Sequence, residues 1–193
     1  MRFAFTTITL SLFLMMTLVA CGNLGSSSPK TFHSVGKVLA VDAPGQWIDY
    51  DLHDDGDLEI AHRTKELYLL VLSEPVADFD GTAQEYSDDV RYWIHDSVTG
   101  MQETGPRSMT IHGQPAIQYT IRGTIDGISI VYLHTVIKTD GYFHQLTAWA
   151  TAREFASSET VLQDLIASAR EPGSAPAQPA DAPEEVLEES PAE

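Results

Sequence analysis

The stretch from Gln114 to Thr151 constrains the fold most, because Asp126-Gly127 and Asp140-Gly141 divide it into three runs rich in Ile, Val, Thr, Tyr and Trp. Asp-Gly between such runs is a strong hairpin signal, since a type I′ turn needs positive φ at both central residues. A three-stranded antiparallel meander is therefore expected. Two-residue loops set its register: Tyr119, His134 and Thr147 fall in one cross-strand row, with Ile121, Tyr132 and Trp149 in the next. The opposite face carries Val131, Leu133, Ile137, Leu146, Ala148 and Ala150, apolar and partly small, where a helix can dock closely.

The N-terminus reads as an address rather than as structure. Arg2 precedes an apolar run from Phe3 to Ala20, and Leu18-Val19-Ala20-Cys21-Gly22 matches the bacterial lipobox. Residues 1–20 are thus expected to be a lipoprotein signal peptide, with Cys21 at the site of cleavage and acylation, palmitate included. The rival is a plain membrane anchor, which the run is nearly long enough to form. Cys21 is the only cysteine, so once acylated it leaves no thiol for a disulfide, metal or nucleophile. The expected location is the cell envelope, extracytoplasmic and lipid-anchored, with outer-membrane sorting favoured by Gly22 in a Gram-negative cell.

Composition limits partners and domain count. The formal charge of −17 repels phosphate backbones, so no nucleic-acid partner is expected, while cationic partners stay open. Residues 171–193 hold seven acids, no base and five prolines, and read as a disordered acidic Pro/Ala/Glu-rich tail. Residues 21–34, with three consecutive serines, read as a flexible tether. That leaves one domain over 35–170.

Inside it, Lys37–Val41, Leu58–Ala61, Leu67–Leu72 and Ser108–His112 read as strands, and LYLLVL at 67–72, apolar on both faces, as a central one. Thr82 and Glu85 have capping-box spacing ahead of a helical stripe of Ala83, Tyr86, Val90, Trp93, Ile94 and Ser97. Val98 to Gly105 reads as a loop. A last helix capped by Ser157 or Ser158 carries Val161, Leu162, Leu165, Ile166 and Ala169. The class is α+β: an antiparallel sheet with a C-terminal meander of three to four strands, flanked by helices.

Several of these features resemble the Mog1/PsbP-like fold, which includes small DcrB-like bacterial lipoproteins. They are Pro44-Gly45-Gln46-Trp47, the Gly113-Gln114-Pro115-Ala116 turn into a strand, the two hairpins, and the Gly141–Ala150 strand followed by Phe155 and a closing helix. The resemblance covers about residues 37–169. It implies proteins that mostly act as non-enzymatic partners or assembly factors, and it transfers no binding residue.

Two candidate sites stand out. The face of Tyr119, Tyr132, His134, Thr147 and Trp149 combines apolar area with a few polar groups, as ligand or partner sites do. Its plainer reading is a face covered by the Thr82 helix, with Tyr119 and His134 hydrogen-bonded inside. The second is acidic: Asp51, Asp55, Asp57 and Glu59 lie close in sequence, as a Ca²⁺ site requires. However, His62 stands where an EF-hand needs its bidentate Glu, and a solvated acidic turn is the plainer reading. Seven scattered histidines show no HxxxH spacing, and no HExxH, GxSxG or P-loop occurs.

The expectation is therefore a non-catalytic, lipid-anchored interaction or assembly module with no cofactor. It would contact the membrane through its lipid and bind an envelope protein of unknown identity. The alternative is a small-ligand or Ca²⁺-binding periplasmic module, and a hydrolase built on His134 comes third.

Overall fold

A computed structural model of the chain describes residues 28–174. Nine strands and two helices follow in order. They are β1 (Lys30–His33), β2 (Ala40–Ala43), β3 (Trp47–Asp49), β4 (Leu58–His62), β5 (Leu67–Pro75), α1 (Ala83–Ser97), β6 (Thr99–Ile111), β7 (Gln114–Ile125), β8 (Ile128–Lys138), β9 (Tyr142–Thr151) and α2 (Ala152–Ala167). β1 and β2 form a small antiparallel ribbon. The other seven form one antiparallel sheet in the order β3-β4-β5-β9-β8-β7-β6. The class is α+β, as the sequence implies.

The meander has the expected register, with Tyr119 opposite His134 and His134 opposite Thr147. At the first turn Asp126 and Gly127 take φ of 50° and 81°, the pair of positive angles that a type I′ turn demands. The second turn keeps the register without that geometry, since neither Asp140 nor Gly141 has positive φ. There the Thr139 hydroxyl closes the turn instead, accepting from the Tyr142 amide at 3.2 Å, while the Thr139 amide donates to the Tyr142 carbonyl at 2.9 Å.

β5 lies between β4 and β9, the central place expected for LYLLVL. Side chains alternate across a strand, so Leu67, Leu69 and Val71 share a face with Leu133, Leu146, Ala148 and Ala150. The small Ala148 and Ala150 let α2 approach, and Phe155, Leu162, Leu165 and Ile166 close the main core over them. Each such side chain contributes on the order of 2 kcal/mol by leaving water.

Four expectations are corrected. The tether assigned to 21–34 yields its last residues to β1, because Phe32 is buried opposite Val41 in the core. Lys37–Val41 is only partly strand: 35–37 forms a 3₁₀ turn with Gly36 and Lys37 at φ of 71° and 56°, and pairing starts at Ala40. The loop at 98–105 is most of β6, which pairs with the outer side of β7 through register shifts at Thr99/Gln102 and Thr104/Arg107. Bulges of this kind let a Gly- and Pro-bearing segment pair at a sheet edge. The last helix starts at Ala152, directly off β9, and Ser158 is a buried residue inside it whose hydroxyl donates to Glu154 at 2.9 Å.

The domain closes at its C-terminal boundary through Arg170. Its backbone bridges Ala40, and its guanidinium donates to both carboxylate oxygens of Asp42 at 2.6 and 3.0 Å. Residues 1–27 and 175–193, on which the expected signal peptide, Cys21 acylation and most of the expected acidic tail fall, lie outside the described residues.

Candidate functional site

The site follows from how much of the second sheet face α1 covers. α1 begins with the full capping box: Thr82 Oγ1 accepts from the Glu85 amide at 3.2 Å, and Glu85 Oε2 accepts from the Thr82 amide at 2.8 Å. Its first half is well anchored. Tyr86 stacks on Phe143 at 4.7 Å, Phe79 meets both rings edge-on, and Val136, Val90 and Ile117 complete this smaller core. Burial, together with the neighbouring Glu74 carboxylate, pushes the Tyr86 hydroxyl well above its ordinary pKa.

The same helix divides the aromatic face. Tyr119 and His134 lie buried, Tyr119 accepting at its hydroxyl from Gln84 at 2.7 Å and carrying the Arg91 guanidinium 3.6 Å above its ring. Arg91 in turn pairs with Asp88 and Glu103. The plainer expectation thus holds for these two residues, with one departure: both ring nitrogens of His134 are buried without a hydrogen-bond partner. Burial and the nearby Arg91 charge lower its pKa to about 3, so the imidazole is neutral. Sealed in this way, His134 has no path to a substrate, which removes the hydrolase built on it.

Tyr132 and Trp149 remain partly exposed and, with the buried Thr147 between them and the helix, line a groove of about 740 Å³. Its floor is Leu70 and Leu72 of β5, Gln145, Thr147 and Trp149 of β9, and Tyr132 of β8. One wall is α1, through Asp89, Val90, Trp93 and Ile94. The other is the turn before β4, through His53, Asp55 and Asp57, with Glu74 also lining the groove. Trp93, on the apolar stripe of α1, is 66% exposed, because the stripe runs past the part of the sheet that the helix covers.

The aromatic lining forms a ladder across strands. Trp149 stacks on Tyr68 at 5.2 Å and meets Tyr132 at 5.7 Å, and Tyr68 continues to the exposed Tyr50 at 6.2 Å. Burial raises the hydroxyl pKa of both Tyr68 and Tyr132. Asp55, Asp57, Glu74 and Asp89 make no ion pair among the described residues.

The proposed Ca²⁺ ligands are not brought together. Glu59 accepts from the Leu52 and His53 amides at 2.9 and 2.6 Å, and Asp57 accepts from the Ser73 amide at 2.5 Å. These carboxylates organise the turn and its seat on β5, and among the described residues no three His, Cys, Asp or Glu side chains converge on one point. Another contact that reading by motif cannot reveal is Ser73 Oγ to His144 Nδ1, 2.9 Å apart across β5 and β9. His144 is fully buried, its Nε2 has no partner, and burial lowers its pKa to about 4. A Ser–His contact whose imidazole has no orienting acid on its other nitrogen is a cross-strand hydrogen bond.

In the sequence the acidic turn and the aromatic face stand apart, and Leu70, Leu72, Glu74, Asp89 and Trp93 belong to neither. The missing fact is that β5 inserts between β4 and β9, which sets the turn beside the meander. Trp93 did carry a signal, as a large apolar residue on a stripe longer than its cover.

No family model and no curated protein matches the chain. Solved structures do. Cyanobacterial PsbP (CyanoP) from Synechocystis sp. PCC 6803 superposes with a TM-score of 0.60 at 15% identity, over 80% of this chain and 98% of that one. LpqN of Mycobacterium tuberculosis, involved in cell envelope biogenesis, gives 0.53 at 13% identity over 74% and 89%. A Bacteroides thetaiotaomicron VPI-5482 protein gives 0.52 at 11% identity over 75% and 49%. At such identities the likeness is one of fold alone: the chain has a PsbP/Mog1-like α+β fold.

Proposed function

We propose that the chain is a non-catalytic, lipid-anchored protein of the bacterial cell envelope that acts as an interaction or assembly module and takes its partner in the groove between α1 and the sheet. The observation that carries this reading is the incomplete cover of the aromatic face. A helix fixed by a capping box at one end leaves Trp93, Tyr132 and Trp149 around an open groove at the other. Amphipathic aromatics around a concave surface are the usual anchors of recognition. The lipobox at Cys21 supports the tether, which would hold the domain near the membrane and raise its effective concentration for an envelope partner. The envelope role of LpqN, which shares the fold, is consistent with that location.

The test is in-cell photo-crosslinking from positions 93 and 149, with Ser157 on the outside of α2 as the control. A defined adduct from the groove positions and none from Ser157 is expected. Adducts that form equally from Ser157 would remove the groove from the model. The second reading, a small-ligand module, is favoured by the groove's volume, which suits a small molecule. It predicts a rise in Tm with a bound small molecule that disappears in Trp149→Ala, and a screen of small aromatic and cationic ligands in which no compound raises Tm would count against it.

A further inference from the structure

The groove has two chemically different ends. Cross-strand pairing orders its floor in rows: Tyr68 lies opposite Trp149, Leu70 opposite Thr147, Leu72 opposite Gln145, and Glu74 opposite Phe143. Tyr132 joins the Trp149 row from β8. α1 repeats this polarity, with Tyr86 stacked on Phe143 at the Glu74 end and Asp89 one turn before Trp93. One end is therefore aromatic and the other acidic. From the Trp149 row to the Phe143 row is six residues of β9, about 20 Å at strand spacing.

Among the described residues no Lys or Arg forms an ion pair with the carboxylates of the acidic end. Lys138 lies in the Glu74–Phe143 row with its Nζ 4.9 Å over the Phe143 ring, but it donates to the Gly81 carbonyl at 3.0 Å and to none of these carboxylates, while Arg91 is held by Asp88 and Glu103. Carboxylates without an ion-pair partner along one end of a concave, partly apolar site favour a cationic ligand. The strands beneath are all paired on both sides, β5 by β4 and β9, and β9 by β5 and β8. A ligand is thus held by side chains and not by adding a strand.

We infer that the occupant is an extended segment of a partner protein, about six residues long, with an aromatic or apolar side chain on Trp149, Tyr132 and Trp93 and a Lys or Arg between Glu74, Asp89 and Asp55. The acidic segment 171–193 of the chain itself has no basic residue and is the wrong sign for this site. The inference rests on the interaction-module reading and deepens it by naming the partner's chemistry.

The test is selection of a random peptide display library on the full chain in detergent, followed by affinity measurement for a selected peptide. Enriched sequences should carry an aromatic or large apolar residue four to six positions from Lys or Arg. Their affinity should fall about tenfold or more in Glu74→Lys/Asp89→Lys, weaken with added salt, and return in that variant when the peptide's basic residue is changed to Glu. Recovery by charge reversal also guards against a variant that merely misfolds. Enriched peptides that lack a basic residue and are indifferent to Glu74→Lys/Asp89→Lys would overturn the charge assignment but leave the groove as a docking site. Failure to enrich any sequence over a Trp149→Ala control would overturn the peptide assignment, while a groove-specific crosslink in cells would still sustain the module. Failure of both would sink both.

Discussion

His134 allows a sharp test of how the aromatic face is built. In the folded chain its imidazole is enclosed by Tyr119 on β7, Thr147 on β9 and α1, with Arg91 nearby, and it stays neutral down to about pH 3. In the unfolded chain a histidine protonates near 6.5. The folded pKa is the lower one, so the stabilising contribution is complete above about pH 6.5 and is lost as the pH falls towards the folded value. Each unit below 6.5 costs about 1.4 kcal/mol, which makes the loss about 1.4 kcal/mol at pH 5.5 and about 2.7 kcal/mol at pH 4.5 for this one group. His144, with a folded pKa of about 4, adds a similar loss over the same window. Asp42 acts elsewhere: burial opposes its ionisation, but Arg170 and Thr31 outweigh that and hold its pKa down, so its contribution disappears only below about pH 4.

The perturbation is His134→Leu, read by urea unfolding between pH 7.5 and 4.5. Both ring nitrogens lack partners, so an apolar side chain of similar size orphans no group, and stability at pH 7.5 should be unchanged or higher. The variant should then lose less stability than the parent on acidification, by about 1.4 kcal/mol at pH 5.5. Parallel curves for the two proteins would refute the buried neutral imidazole. A loss of several kcal/mol at pH 7.5 would show instead that its nitrogens are hydrogen-bonded.

Three further perturbations test the packing, the helix cap and the lipobox. Leu133→Ala, at a fully buried position under α2, should cost about 3 kcal/mol by denaturant titration, whereas Trp149→Ala, partly exposed in the groove, should cost less and act on binding. Thr82→Ala removes the cap of α1 and should cost about 1 kcal/mol, with hydrogen exchange rising first in the N-terminal turn of that helix. Cys21→Ser should abolish acylation and mature membrane attachment in cell fractionation, and unchanged attachment would refute the lipid anchor.

The meander was legible because its signals are local. Asp126-Gly127 sets a turn, and the two-residue period of the strands then dictates that Tyr119 meets His134 and that Leu133 shares a face with Ala148. The capping box of α1 is equally local, spanning Thr82 to Glu85. Errors arose where a boundary depends on a distant partner. Lys30–His33 is a strand because β2 lies beside it, and the Thr99–Gly105 part of β6 pairs because β7 offers a free edge. Neither segment announces this in its own residues.

The amino-acid sequence alone determined the fold class, the register of the hairpins and which meander face the last helix covers, because hydrophobic period and turn chemistry act over a few residues. The tertiary structure alone decided that β5 enters between β4 and β9. That insertion is a long-range pairing, and it brings Asp55, Asp57 and Glu74 to the same groove as Tyr132 and Trp149. It also decided how far α1 reaches across the sheet: a helix of fixed length seals Tyr119 and His134 and leaves Trp93 and Trp149 open.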